Sequence, residues 1–83
     1  MGKQEKLLKR MAQKPTPANI HWADIERLLI GYGAALTEGR GSRVHFDLNG
    51  VTFCTHRPHP QKEAKRYQVR DVVDFLRAAG VIK

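Results

Sequence analysis

The chain has 83 residues, of which 15 are Lys or Arg and 8 are Asp or Glu, so its formal net charge is +7. At this length we expect one small domain with a modest core and no second domain. The basic excess favours an anionic partner, most commonly nucleic acid for a domain of this size. The single cysteine, Cys54, excludes an internal disulfide, and no apolar run is long enough to cross a membrane, so we expect a cytoplasmic protein without a membrane partner.

The N-terminal stretch combines a basic helical pattern with a proline break. Leu7, Leu8 and Met11 form an apolar stripe at helical spacing among five basic residues. A helix this short is marginal in water, so it is ordered only if the stripe docks on the domain or on a partner. The alternative is a solvated, partly frayed arm. Two prolines then favour extended backbone, which predicts a basic arm and linker over residues 1–17 and a single domain over residues 18–83.

A first amphipathic helix is predicted from about Trp22 to Tyr32. Its apolar side chains recur at positions i, i+3, i+4 and i+7, starting at Ile25. Asp24 lies in the first turn, where the helix dipole favours negative charge. Gly33 is the expected residue just past the C-terminus of this helix.

Three strands are predicted next, joined by tight turns. A short run from Ala34 to Thr37 comes first, and two segments with alternating apolar and polar residues, about 42–48 and 51–56, flank Asn49-Gly50. An Asn-Gly pair in this setting is typical of a two-residue type I′ hairpin. The predicted register sets Leu48 opposite Val51, Phe46 opposite Phe53, Val44 opposite Thr55, Asp47 opposite Thr52, His45 opposite Cys54 and Arg43 opposite His56.

A second amphipathic helix is predicted from about Tyr67 to Ala79, with Gly80 as its stop, after a proline-rich segment that ends the sheet. The order is therefore α-β-β-β-α after the basic arm, which is an α+β fold with a three-stranded antiparallel sheet. Both helices are expected to cover the apolar face of the sheet, which carries Val44 and Phe46. The other face, which we call the polar face, stays in water and carries Arg43, His45, Asp47, Thr52, Cys54 and His56.

The polar face and the segment that leaves the sheet gather basic and imidazole side chains. The candidates are Arg43, His45, His56, Arg57, His59, Lys62, Lys65 and Arg66. An imidazole beside a fixed cation suits metal-free RNA cleavage, because the imidazole takes the proton of a ribose 2′-hydroxyl while the cation stabilises negative charge at phosphorus. The simpler alternative, a solvated strand face that only attracts RNA phosphates, is the one that composition alone favours.

Two other kinds of site find less support in the sequence. A zinc site could use His45, Cys54 and His56, but structural zinc sites usually have two closely spaced ligand pairs, and nothing completes a second pair. A Cys54 nucleophile would need a base and an orienting group, and Asp47 is the only carboxylate predicted on the polar face. We therefore expect neither a metal nor another cofactor.

Residues 20 to 83 resemble the HicA family of small bacterial toxins, the mRNA interferase partners in HicA/HicB toxin–antitoxin pairs. The resemblance rests on the first helix, the Gly41-Ser42 turn into a strand, Phe46, the Pro58-His59-Pro60 motif, and an ending that runs from Val69-Arg70 through Phe75-Leu76 to Ala79-Gly80. It implies a fold like that of double-stranded-RNA-binding domains. It also implies metal-independent endoribonuclease activity on mRNA, a HicB-like antitoxin as protein partner and a role in the stress response.

The chain departs from the family at the position of the catalytic histidine. The family's catalytic histidine normally follows the Gly-Ser or Gly-Thr pair directly, and here that position is Arg43, which cannot act as a general base at neutral pH. One hypothesis is that His45, about 7 Å along the same strand, replaces it while Arg43 holds the phosphate. A competing hypothesis assigns the role to His56, and a third describes a family member that binds RNA without cutting it. The other RNA contacts expected are Arg57, His59, Lys62, Lys65 and Arg66.

Overall fold

The computed structural model describes residues 3–83 and contains three helices and one three-stranded sheet. The elements are α1 (Lys3–Met11), α2 (Trp22–Gly31), β1 (Ala35–Glu38), β2 (Arg43–Leu48), β3 (Val51–His56) and α3 (Arg66–Ala78). This order confirms the predicted α+β fold. Within the described residues, none of these helices is both long enough and apolar enough to cross a membrane. Residues 1 and 2 of the predicted arm lie outside the described residues.

The β2–β3 hairpin has the predicted turn and register. Asn49 and Gly50 both have positive φ, 52° and 81°, as a type I′ turn requires. The strands form an antiparallel sheet in the order β1-β2-β3, and all six predicted pairs across the hairpin are present. The Asn49 side chain also donates a hydrogen bond of 2.8 Å to the carbonyl of Ala79. The hairpin tip is therefore tied to the C-terminal end of α3.

The core lies between the apolar face of the sheet and the helices α2 and α3. Phe46 is fully buried at its centre, with its ring centroid 6.4 Å from that of Trp22 on α2 and 6.3 Å from that of Phe53. Phe53 in turn stacks on Phe75 of α3 with a centroid distance of 5.5 Å. Both helices therefore cover the apolar face, as predicted, and the polar face remains uncovered.

The first helix, α1, docks on α2 and α3. Met11 is buried in the same core with 1% of its surface exposed, and Leu7 and Leu8 pack partly buried against that core. The stripe predicted from the sequence thus orders α1 by docking, and the alternative of a solvated arm does not hold for this helix. The boundary drawn between residues 17 and 18 stays a prediction.

Candidate functional site

The arrangement of the polar face follows from the hydrogen-bonding pattern of the hairpin. The Ser42 carbonyl accepts a hydrogen bond of 2.8 Å from the backbone N–H of Arg57, so these two residues form a hydrogen-bonded pair. The next pair, Arg43 with His56, is then a non-hydrogen-bonded pair, whose Cα atoms lie only about 4.5 Å apart. Arg43 and His56 are therefore immediate neighbours at the open end of the hairpin.

Arg43 and His56 line a surface depression of about 470 Å³, and His45, the second histidine of the polar face, lines it too. It is lined by Gly39, Arg40, Arg43, Val44, His45, Cys54, Thr55 and His56. His45 and His56 are diagonal neighbours across the strands, a relation that places side chains about 7–8 Å apart. The structure thus brings both candidate histidines and Arg43 together, and it adds Arg40, which was not among the candidates drawn from the sequence. Among residues 3–83, no three His, Cys, Asp or Glu side chains cluster as metal ligands would.

The two imidazoles in the depression have different partners. His56 Nδ1 lies 3.5 Å from Ser42 Oγ, and its Nε2 has no hydrogen-bond partner among residues 3–83. His45 directs its Nε2 toward Asp47 Oδ2, 3.7 Å away, and Asp47 also accepts a hydrogen bond from the Thr52 hydroxyl. His56 thus lines the depression with an Nε2 that has no partner among residues 3–83, whereas His45 lies beside a carboxylate.

Arg57 does not lie on the polar face, because successive residues of an extended strand point to opposite faces and Arg57 directly follows His56. Its Nε lies 2.7 Å from Glu26 Oε2, and its Nη2 lies 3.2 Å from Glu38 Oε2. The hydrogen bonds to Glu26 first, and to Glu38 second, raise the pKa of Arg57 above its already high range. Trp22 Nε1 also donates a hydrogen bond to Glu26. The Arg57 guanidinium thus links α2 to β1, and the structure does not bring it into the depression.

The other predicted RNA contacts lie on the segment between β3 and α3 and at the first residue of α3, outside the depression. This segment runs beside the residues that precede α2: the Trp22 N–H donates to the Lys62 carbonyl at 2.9 Å, and the Ala64 N–H donates to the Ile20 carbonyl at 2.7 Å. These backbone bonds hold the segment in place, with Ala64 buried in the core. The four predicted contacts are exposed: His59, Lys62, Lys65 and Arg66.

Sequence reasoning missed Gln68 as part of the site. It is 2% exposed, and its amide Nε2 donates to the His56 carbonyl at 2.7 Å and to Thr55 Oγ1 at 3.2 Å. Its Oε1 accepts a hydrogen bond of 2.9 Å from the Lys65 N–H. One signal was available: Gln68 stands four residues before Val72, which places a polar residue within the apolar stripe of α3.

A family comparison covers most of the chain. The family model described as the HicA toxin of bacterial toxin–antitoxin matches residues 22–81, from the first residue of α2 to just beyond α3. The chain belongs to the HicA toxin family. The matched residues include the whole sheet and every residue that lines the depression, while α1 precedes them. No curated protein and no solved structure matches the chain. Membership confirms the resemblance seen in the sequence, and it implies a toxin–antitoxin system with an antitoxin partner.

Proposed function

We propose that this HicA-family chain is the toxin of a type II toxin–antitoxin pair and cleaves mRNA in the cytoplasm as a metal-independent endoribonuclease. The observation that carries the proposal is the presence of His45, His56, Arg40 and Arg43 around one surface depression. Two imidazoles supply the proton acceptor and the proton donor that RNA transesterification needs. Guanidinium groups bind phosphate oxygens through paired N–H donors.

In this proposal His56 is the general base. Its Nε2 takes the proton of a ribose 2′-hydroxyl, the 2′-oxygen attacks the adjacent phosphorus, and the bond from phosphorus to the 5′-oxygen breaks. The departing 5′-oxygen receives a proton from His45, so the products carry a 2′,3′-cyclic phosphate and a 5′-hydroxyl. Arg43 stabilises the additional negative charge at phosphorus as the 2′-oxygen attacks.

The cross-strand pairing explains how the reaction could proceed with arginine at position 43. Side chains directly opposite each other in a sheet have Cβ atoms about 4.5–5.5 Å apart, so the His56 imidazole reaches the space beside position 43. Of the two hypotheses drawn from the sequence, we favour His56 over His45 as the base, because Nε2 of His45 faces Asp47, whereas Nε2 of His56 has no hydrogen-bond partner within the described part of the chain. His45 then serves as the acid.

A second candidate function is RNA binding without cleavage, and Arg43 itself favours it, because the chain then lacks a base at the family's usual position. The exposed cations before α3, Lys62 and Lys65, and Arg66 at its first residue suit phosphate contacts in either function. If the chain only binds RNA, affinity falls with added salt and with each cation removed, and no cleavage product forms. The proposed contacts are Arg43, His59, Lys62, Lys65 and Arg66, whereas Arg57 is already paired with two carboxylates.

The partner we propose is a HicB-like antitoxin that covers the depression with acidic side chains. The exposed cations on and beside the polar face favour such a surface by charge complementarity. A neighbouring gene for a small antitoxin-like protein would identify the candidate. Co-expression of that protein should restore growth to cells that express this chain, and failure to do so would exclude it as the antitoxin.

The proposed activity is tested by expressing the chain alone and following growth and transcript integrity. We expect growth arrest and fragmented mRNA with the unmodified chain, and normal growth with His56→Ala. His21→Ala is the matched control, because it removes an exposed imidazole that does not line the depression. If the unmodified chain is harmless and leaves mRNA intact, the nuclease proposal is wrong and binding alone is supported.

A further inference from the structure

The carbonyl of His56 lies at a free edge of the sheet. Among residues 3–83, β3 pairs with β2 alone, so its other side has no strand neighbour in this part of the chain. In a non-hydrogen-bonded pair the backbone N–H and C=O groups point away from the paired strand, so the His56 carbonyl points away from Arg43 toward this open edge. A carbonyl at such an edge needs a donor from outside the sheet or from water.

Gln68 supplies that donor from α3. Its amide donates at 2.7 Å to the His56 carbonyl, and its oxygen accepts from the Lys65 N–H at the start of the helix. The side chain is almost fully buried and touches three polar groups, so its rotamer is fixed by all of them. A buried amide satisfied in this way acts as a rigid tie between the end of β3 and the first turn of α3.

We propose that Gln68 is a positioning residue that sets the orientation of the His56 imidazole in the depression. Fixing the carbonyl fixes the peptide plane after His56, and with it the direction in which the side chain leaves the strand. On the opposite side of the same strand end, the Arg57 N–H is held by the Ser42 carbonyl. The inference rests on the proposed function of His56 as the general base, and a displacement of about 1 Å in a catalytic group can cost roughly 100-fold in rate.

The test compares two substitutions that differ in which bond they remove. Gln68→Met keeps a similar volume and removes all three hydrogen bonds. Asn49→Gly is the matched control, because it removes the hydrogen bond between the hairpin tip and the C-terminal end of α3 and leaves the bond to the His56 carbonyl, and Asn49 does not line the depression. We expect Gln68→Met to lower the single-turnover rate of RNA cleavage at saturating protein by about 10- to 100-fold, with the half-saturating concentration changed less than about twofold. Asn49→Gly should keep the rate within about twofold of the unmodified chain.

A structural readout that needs no RNA accompanies the kinetics. We expect the imidazole resonances of His56 in an NMR spectrum to shift in Gln68→Met, together with loss of the proximity signal between Ser42 and the His56 ring. The positioning role is overturned if Gln68→Met matches Asn49→Gly in rate, or if the His56 resonances and the Ser42 proximity signal are unchanged. If the unmodified chain cleaves no RNA, the proposed function fails, and the NMR comparison alone decides the role of Gln68. If Gln68→Met does not fold, Gln68→Asn is tested in its place under the same criteria. Its amide is one methylene too short to reach the His56 carbonyl.

Discussion

Replacing Arg57 with Gln removes the cation that joins α2 to β1. The Arg57 side chain is 33% exposed and the Glu26 side chain only 18%, and their 2.7 Å contact is a charged hydrogen bond. Hydrogen bonds to charged groups contribute about 1.5–3 kcal/mol. The Glu38 side chain is 65% exposed, and an ion pair of that kind contributes at most about 1 kcal/mol. We therefore expect Arg57→Gln to lower the free energy of unfolding by about 2 kcal/mol, most of it from the Glu26 contact.

The measurement is thermal or urea unfolding of Arg57→Gln, Glu26→Gln and Glu38→Gln with the corresponding double variants. For a domain of this size, a loss of 2 kcal/mol lowers Tm by roughly 8–16 °C. The double-mutant cycle should give a coupling energy above about 1 kcal/mol for Arg57 with Glu26 and a smaller one for Arg57 with Glu38. Equal couplings, or a loss below about 0.5 kcal/mol for Arg57→Gln, would refute this reasoning. A loss of RNA affinity without a loss of stability would instead return Arg57 to the predicted RNA contacts.

Three further predictions concern the turn, the first helix and the cations. Asn49→Gly keeps a residue that tolerates positive φ but removes the hydrogen bond to Ala79. Urea unfolding should therefore show that the free energy of unfolding falls by about 1 kcal/mol. An unchanged urea midpoint would mean that this bond contributes nothing to stability. Met11→Ala should lower the free energy of unfolding by about 2–5 kcal/mol, because Met11 anchors α1 in the core. Lys9→Ala, at an exposed position of the same helix, should change it by less than about 0.5 kcal/mol. Similar losses of stability in the two variants would show that α1 does not dock. Lys62→Ala should weaken RNA binding and reduce its salt dependence. The maximal cleavage rate should be unchanged, since Lys62 lies outside the depression. A lower maximal rate would mean that Lys62 takes part in the cleavage reaction.

The hairpin could be predicted down to individual residue pairs. Asn49-Gly50 fixes the turn type, and the alternation on both sides fixes which residues face the core, since a slip of one residue would turn Phe46 and Phe53 outward. Local pattern and turn chemistry agree there, so the register follows from the sequence. The pairing of Arg43 with His56 was available from the same reasoning.

The contacts that hold the site from outside the hairpin could not be predicted in the same way. Arg57 was expected beside the other cations, but its carboxylate partners lie 31 and 19 positions away in sequence, and no local pattern identifies them. Gln68 stands in an apolar stripe, where its hydrogen bonds depend on how α3 meets the edge of β3. The docking of α1 likewise depends on the surface formed by α2 and α3. The periodicity of the sequence predicts the apolar stripe of α1 but does not identify the surface on which it packs.

Cleavage of a labelled RNA by the purified chain in excess EDTA tests the proposed chemistry most directly. We expect fragments that end in a 2′,3′-cyclic phosphate, formed at a rate that falls about 10²- to 10⁴-fold in His56→Ala and is unchanged in His21→Ala. Cleavage at the full rate by His56→Ala would contradict the assignment of the base. Complete loss of cleavage in EDTA that is restored by a divalent cation would contradict the metal-independent reaction itself.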